Sequence, residues 1–270
     1  MGNGSPLPIF TAKGDEIYTM HITFPQYIKN PMQNRVLSNR QMYDKMYKEK
    51  LNQLLLRENG QVRYFLFKDN ESRYIVYIKV PSEKCKGFYY DVCIEFLAKD
   101  SRVIGSESIR DYFVRFYSND PSFVFTYAYS FIQNDLFFED LETKMSKQAR
   151  TQKATITNKK NEVGYVKSIY FAYLIMELKG LFSKKKFDYE ARKYSKTMLL
   201  QMVEHSSVKF ANRQQVEKDQ AADKKKFESL DKADASGTQG LRAAKAGNPK
   251  HVMSSRSVKK SSFVSKVKKI

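Results

Sequence analysis

The sequence predicts an α+β fold: a small antiparallel β-sheet, barrel-like in its curl, followed by a C-terminal helical part and an extended basic tail. Three observations predict it. Short β-branched and aromatic runs, punctuated by turn residues, fill the stretch from Val62 to Ile132. Helical spacing dominates from Phe138 to about Leu230. Charge divides in the same place: residues 1–140 hold 18 Lys/Arg and 17 Asp/Glu, whereas residues 141–270 hold 30 and 12. The boundaries that follow are an extended arm over 1–15, an aromatic β-rich body over 16–137 with one helix at 39–57, a helical basic region over 138–232 and a low-complexity basic tail over 233–270.

Residues 1–15 are rich in Gly, Pro and Asn and read as extended. Glu16 to Phe24 alternates and fits a strand, which Pro25 and Pro31 then break. Met42, Met46, Leu51, Leu54 and Leu55 give helical spacing across Asn39 to Arg57, and Asn59-Gly60 supplies the C-cap and turn. Val62–Lys68 and Arg73–Val80 read as a hairpin around Asp69-Asn70-Glu71-Ser72, and Pro81 stops its second strand. Gly87 to Leu97 alternates, with Tyr89, Asp91, Cys93 and Glu95 on one face, which predicts a sheet with one wet side. Ile109–Tyr117 and Ser122–Ile132 read as two further strands, broken at Ser118-Asn119-Asp120-Pro121. A helix is expected over Phe138–Arg150. A polar break at Thr151–Asn161 and a helix over Val163–Phe182, apolar almost all round, come next. A long charged helix is then expected from Phe187 to about Leu230. From Ala233 onward Gly, Ala, Ser and Lys dominate, with nine Lys/Arg against one Asp. Such a segment cannot bury enough apolar surface to offset its ordering entropy, so alone it is expected to lack structure.

Nineteen Phe and 18 Tyr supply ample core material. Cys85 and Cys93 are spaced for a hairpin disulfide. The first ten residues show no basic n-region and no apolar h-region, so no secretory leader and therefore free thiols are expected. The apolar run Ser168–Met176 is far shorter than the about 20 residues a membrane span requires, so no membrane partner is expected.

No catalytic signature stands out, and an enzyme is not expected. His21, His205 and His251 lie far apart without the paired spacing of a zinc site, so no metal or other cofactor is expected. No phosphate-cradling glycine motif is present. Glu139, Asp140 and Glu142 read as acids complementing a helix N-terminus. Tyr112, Phe113, Phe116, Tyr117, Phe123 and their aromatic neighbours lack the motif of base-stacking RNA modules, and core packing or a subunit interface is the better reading. The basic clusters are different. Lys184, Lys185 and Lys186, then Lys224, Lys225 and Lys226, then Lys259, Lys260, Lys266, Lys268 and Lys269 all fall in one half of the chain. A net charge of +19 makes an anionic polymer the expected partner, and Lys in place of Arg favours point-charge phosphate contacts over base reading.

The segment Phe116-Tyr117-Ser118-Asn119-Asp120-Pro121-Ser122-Phe123-Val124-Phe125-Thr126-Tyr127-Ala128-Tyr129 resembles a stretch of uncharacterised structural (virion) proteins of tailed bacteriophages. It implies no functional residue. It does imply a non-enzymatic structural component of a virion, such as a capsid-associated, neck or tail protein. Its partners would be other virion proteins or copies of itself, and its basic arm would face packaged DNA or acidic neighbouring subunits. The location would be the particle, with the host cytoplasm before assembly. The alternative is a nucleic-acid-binding protein of a ribonucleoprotein or replication complex.

Overall fold

The computed structural model describes residues 8–10, 16–18, 21–29, 37–156, 158–159 and 161–244, and the chain divides into two units, Met1–Gln220 and Ala221–Ile270. Strands β1 (Pro8–Phe10) and β2 (Glu16–Tyr18) pair antiparallel with Ile9 opposite Ile17. The rest of the 1–15 arm lies outside the described residues. The predicted strand to Phe24 is cut short, because helix α1 (Phe24–Lys29) begins there. Thr23 Oγ1 accepts from the Gln26 N–H at 3.3 Å, and Gln26 Oε1 accepts from the Thr23 N–H at 2.8 Å. This reciprocal capping box starts the helix, and Pro25 sits in its first turn, where the missing N–H has no partner to lose. Helix α2 (Leu37–Arg57) ends where the sequence predicts. Asn59 and Gly60 have φ of 57° and 70°, and the Gly60 N–H donates back to the Leu55 carbonyl at 2.6 Å.

The centre of the first unit is a meander of β3 (Arg63–Asn70), β4 (Arg73–Pro81), β5 (Tyr89–Leu97) and β6 (Phe113–Ser118). The short helix α3 (Ser101–Gly105), capped by Asp100, links the last two strands. A two-residue strand, β7 (Arg192–Lys193), adds parallel to β3, so the five-stranded order is β6-β5-β4-β3-β7. The sheet is open, and the barrel-like curl expected from the sequence is not formed. One face, with Val76, Ile78, Ile94 and Phe116, is covered by α1 and by α6 (Lys167–Lys179). Phe24 of α1 lies among five rings, 5.1 Å from both Phe116 and Tyr173.

The second face is also dry, which corrects the expected wet side. Asp91 and Cys93 are fully buried and Glu95 is 3 % exposed. Chain from residues 136–145 and 190–204 covers them; the Glu204 N–H reaches Asp91, while Arg73 and Arg115 of the strands pair with Glu95. Both cysteines are free and buried.

Three further expectations change. Ser122–Ile132 is helical: a π-helical turn at Phe123–Tyr127 runs into α4 (Ala128–Gln133). Its buried residues, Phe123, Val124, Ala128 and Phe131, follow a helical period, and Phe125 points out at 63 % exposure. The helix expected over Phe138–Arg150 is a 3₁₀ helix, Glu139–Lys144, followed by α5 (Lys147–Thr151), which Ser146 caps. The helix expected from Phe187 onward is interrupted. Helix α7 (Lys184–Glu190) gives way to β7, then come α8 (Lys196–Met202), capped by Ser195, and α9 (Ser206–Ala244). The extended stretches at Ala191–Ser195 and Val203–His205 are where the chain crosses the second sheet face.

Through Gln220, α9 presents Ser206, Lys209, Arg213 and Val216 to the body, and Val216 packs on Cys85, Phe88 and Tyr90. The helix continues into the predicted low-complexity tail as far as Ala244, where Ala, Leu and Arg are good helix formers. Residues 245–270 lie outside the described residues. Among the described residues no helix is long and apolar enough to cross a membrane.

Gly164 has a steric role. A Cβ there would overlap the Tyr127 ring, while the Gly164 carbonyl accepts from Tyr27 Oη at 3.0 Å. Gly164→Ala is expected to destabilise the protein by about 1–3 kcal/mol, the cost of overpacking. A denaturant midpoint equal to that of the parent would show that the ring moves aside freely.

Candidate nucleic-acid interface

The structure separates the predicted basic residues into three kinds. Lys184, Lys185 and Lys186 open α7, and each has a partner within the body. Lys184 is buried. Its ammonium donates to the carbonyls of Val103 and Ile104 at the end of α3, and lies 5.2 Å from the Tyr112 ring centroid. Lys185 pairs with Glu107 at 3.2 Å and Lys186 with Glu190 at 2.9 Å. The Glu190 hydrogen bond raises the Lys186 pKa. A buried lysine that holds two carbonyls cannot reach a phosphate, so Lys184 leaves the predicted interface; the other two face solvent beside acids.

Lys224 and Lys225 are exposed on the second unit's part of α9, and Lys226 follows on the same helix. Residues 221–244 carry five Lys/Arg and four Asp/Glu, so this helical stretch is nearly neutral. Lys259, Lys260, Lys266, Lys268 and Lys269 lie outside the described residues. There the composition is one-sided: residues 245–270 hold eight Lys/Arg and no Asp/Glu.

Inside the body, charge is organised into two linked clusters on the second sheet face. Asp91, at the middle of β5, accepts from Tyr77 Oη at 2.7 Å, Asn119 Nδ2 at 2.8 Å and the Glu204 backbone N–H at 3.1 Å. Tyr77 also donates to the Met202 carbonyl at 3.2 Å. This cluster ties the turn between α8 and α9 to the sheet. Nearer the β3–β4 turn, the Arg73 guanidinium bridges Glu95 and Asp140, each at 2.6 Å, and stacks 4.6 Å from the Tyr194 ring centroid. Burial would raise the Asp140 pKa. Hydrogen bonds from Lys196, Arg73 and Tyr194 together outweigh it and hold the group at about 2. Glu95 goes the other way, because burial pushes it up more than Arg73 and Arg115 pull it down. The acids at 139–142 therefore do more than open a helix: Asp140 cross-links three elements, and Glu142 pairs with Arg150.

A cleft of about 330 Å³ lies between the β4–β5 connection, the start of α6 and the first turns of α9. Ser82, Glu83, Tyr90, Asp120, Lys167 and Arg213 line it. Lys167 is paired with Glu83 at 2.9 Å and Arg213 with Glu217 at 2.8 Å. Burial raises the Asp120 pKa against hydrogen bonds from the Ser122 N–H and Ser168. Lys167 and Glu83 of the lining are thus mated with each other, and the lining includes no histidine. Among the described residues no group of three or more His, Cys, Asp or Glu is placed to hold a metal.

One basic stretch escapes a search for lysine triplets. Between Glu142 and Glu162 the chain carries Lys144, Lys147, Arg150, Lys153, Lys159 and Lys160 and no acid. The available signal was the absence of acids over this window, not a run of lysines. No family model, curated protein or solved structure matches the chain.

Proposed function

We propose that the chain is a non-enzymatic structural component of a bacteriophage virion, a capsid-associated, neck or tail protein, whose basic arm contacts DNA or acidic neighbouring subunits. The observation that carries the reading is where positive charge lacks acidic company. In the body, most of the cations highlighted above are matched: Lys184 to carbonyls, and Lys185, Lys186, Lys196 and Arg73 to carboxylates. In residues 245–270 nothing in the segment itself offsets eight cations. A polymer of phosphates offers the complementary charge, and lysine contacts of this kind carry little sequence information.

The measurement is duplex DNA binding by the full chain as a function of salt. Replacing Lys259, Lys260, Lys266, Lys268 and Lys269 with Gln is expected to flatten the log–log salt slope by about 4–5 units if each touches a phosphate. Equal slopes would make the arm a protein-docking segment with its lysines against acidic neighbours. Tighter binding to single-stranded or structured RNA than to duplex DNA would favour a ribonucleoprotein component instead. Recovery of the chain in purified particles tests the virion assignment directly.

A further inference from the structure

We propose that the body itself carries a second phosphate-backbone-binding surface, formed by Lys147, Lys153 and Lys159 with the side chains of 144–156 around them, distinct from the C-terminal arm. The inference concerns a different surface from the arm but shares the expectation of a nucleic-acid partner.

The stretch is the short helix α5 and the loop that follows it, set on a firm base. On its N-terminal side, Met145 and Ala149 are buried and Ser146 caps α5. On its C-terminal side, Asn158 is buried. Its Nδ2 donates to the carbonyls of Thr126 at 3.3 Å and Glu162 at 2.8 Å, and its Oδ1 accepts from the Glu162 N–H at 3.0 Å. Between these anchors, residues 151–153 and 155–156 are exposed, and Ile156 reaches 85 % exposure. The loop is therefore held out from the body at both ends.

Its charge departs from the rest of the body. Between Glu142 and Glu162 it holds six Lys/Arg and no acid. Exposed lysines elsewhere in the body that form no ion pair with a described residue, such as Lys45, Lys86 and Lys179, stand in stretches that also carry Asp or Glu. Lys147, Lys153 and Lys159 are exposed, and none forms an ion pair with a described residue. Glu142, the acid bordering the stretch on its N-terminal side, is already taken by Arg150. The side chains between the cations are Gln148, Thr151, Gln152 and Thr155, uncharged donors of the kind that position phosphates. The stretch contains no aromatic residue, and protein–protein interfaces are rich in aromatics and poor in lysine. Charge and composition together select the backbone of a nucleic acid over an acidic protein.

The test uses the full chain and a duplex of arbitrary sequence. A loop variant, Lys147→Gln, Lys153→Gln and Lys159→Gln, is compared with a control, Lys45→Gln, Lys86→Gln and Lys179→Gln, which removes the same charge from exposed sites elsewhere. The loop variant is expected to flatten the salt slope by about 2–3 units, near one per lysine, with the control close to the parent. All six side chains are exposed, and an unchanged thermal melt verifies that both variants fold. Equal slopes for the loop and control variants would overturn the proposal, and so would binding of the full chain to polyglutamate but not to the duplex. If the arm variant weakens binding and the loop variant does not, the loop surface falls while the reading of the arm stands. The converse result sinks the arm and keeps the loop.

Discussion

Replacing Asp91 with alanine is expected to cost about 3–5 kcal/mol, the range for removing one member of a buried charged network. The carboxylate is fully buried and holds Tyr77, Asn119 and the Glu204 backbone. Without it, three donors lose their acceptor in the interior, and water cannot reach them without opening the second sheet face. Tyr77 keeps the Met202 carbonyl at 3.2 Å and Asn119 keeps the Glu204 carbonyl at 3.3 Å, so the loss falls chiefly on the Glu204 N–H. The melting temperature should drop on the order of 10 °C for a unit of this size. Amide exchange at Glu204 and through the first turns of α9 should accelerate more than exchange in β4. A drop below about 1 kcal/mol would show that solvent satisfies these groups and that the cluster does not fasten the helix.

Phe24→Ala should be comparably damaging, at about 3–5 kcal/mol. Phe24 has no exposed surface, and its ring meets Tyr27, Phe96, Phe116, Tyr173 and Phe182. It is the peg by which the N-terminal helix closes the first sheet face. The neighbouring rings belong to four different elements and to the turn after α6, and cannot collapse into the space together, so both the transfer and the cavity contributions apply. Chemical denaturation measures the effect, with Phe125→Ala as the comparison. Phe125 is largely exposed and stacks only on Phe210, and its loss should stay within about 1 kcal/mol. Similar losses for the two variants would contradict the assignment of Phe24 to the core.

The parts of the fold legible in the sequence were those with local causes. The C-terminus of α2 follows from Asn59-Gly60, and the β3–β4 hairpin follows from two β-branched runs around a polar turn. The illegible parts had distant causes. Asp91 and Glu95 alternate with apolar residues just as solvent-facing residues would. The later chain, folding back with Asp140, Tyr194 and Glu204, makes their side of the sheet an interior. Phe123–Phe131 has aromatic content that suits a strand equally well, and its helical state depends on which residues meet Tyr117 and Phe137. Thr23 and Gln26 formed a readable capping box, masked by treating Pro25 as a stop. Among the predicted basic residues, Lys184 alone of its triplet is buried, and composition cannot distinguish a lysine that caps carbonyls from one that faces water.

The late-returning cover of the sheet bears on how the chain is made. Strands β3 to β6 are contiguous and can zip together as soon as Ser118 has left the ribosome. Their second face is closed only when the chain near Met202 and Glu204 arrives. At about 5–20 residues per second, that interval lasts roughly 4–17 s, long compared with hairpin formation in microseconds. Tyr117 is met early, by Phe123, Phe137 and the Lys144 carbonyl, but the Tyr77 hydroxyl waits the whole interval for the Met202 carbonyl. The basic residues of 245–270 emerge later still, once that face has been enclosed.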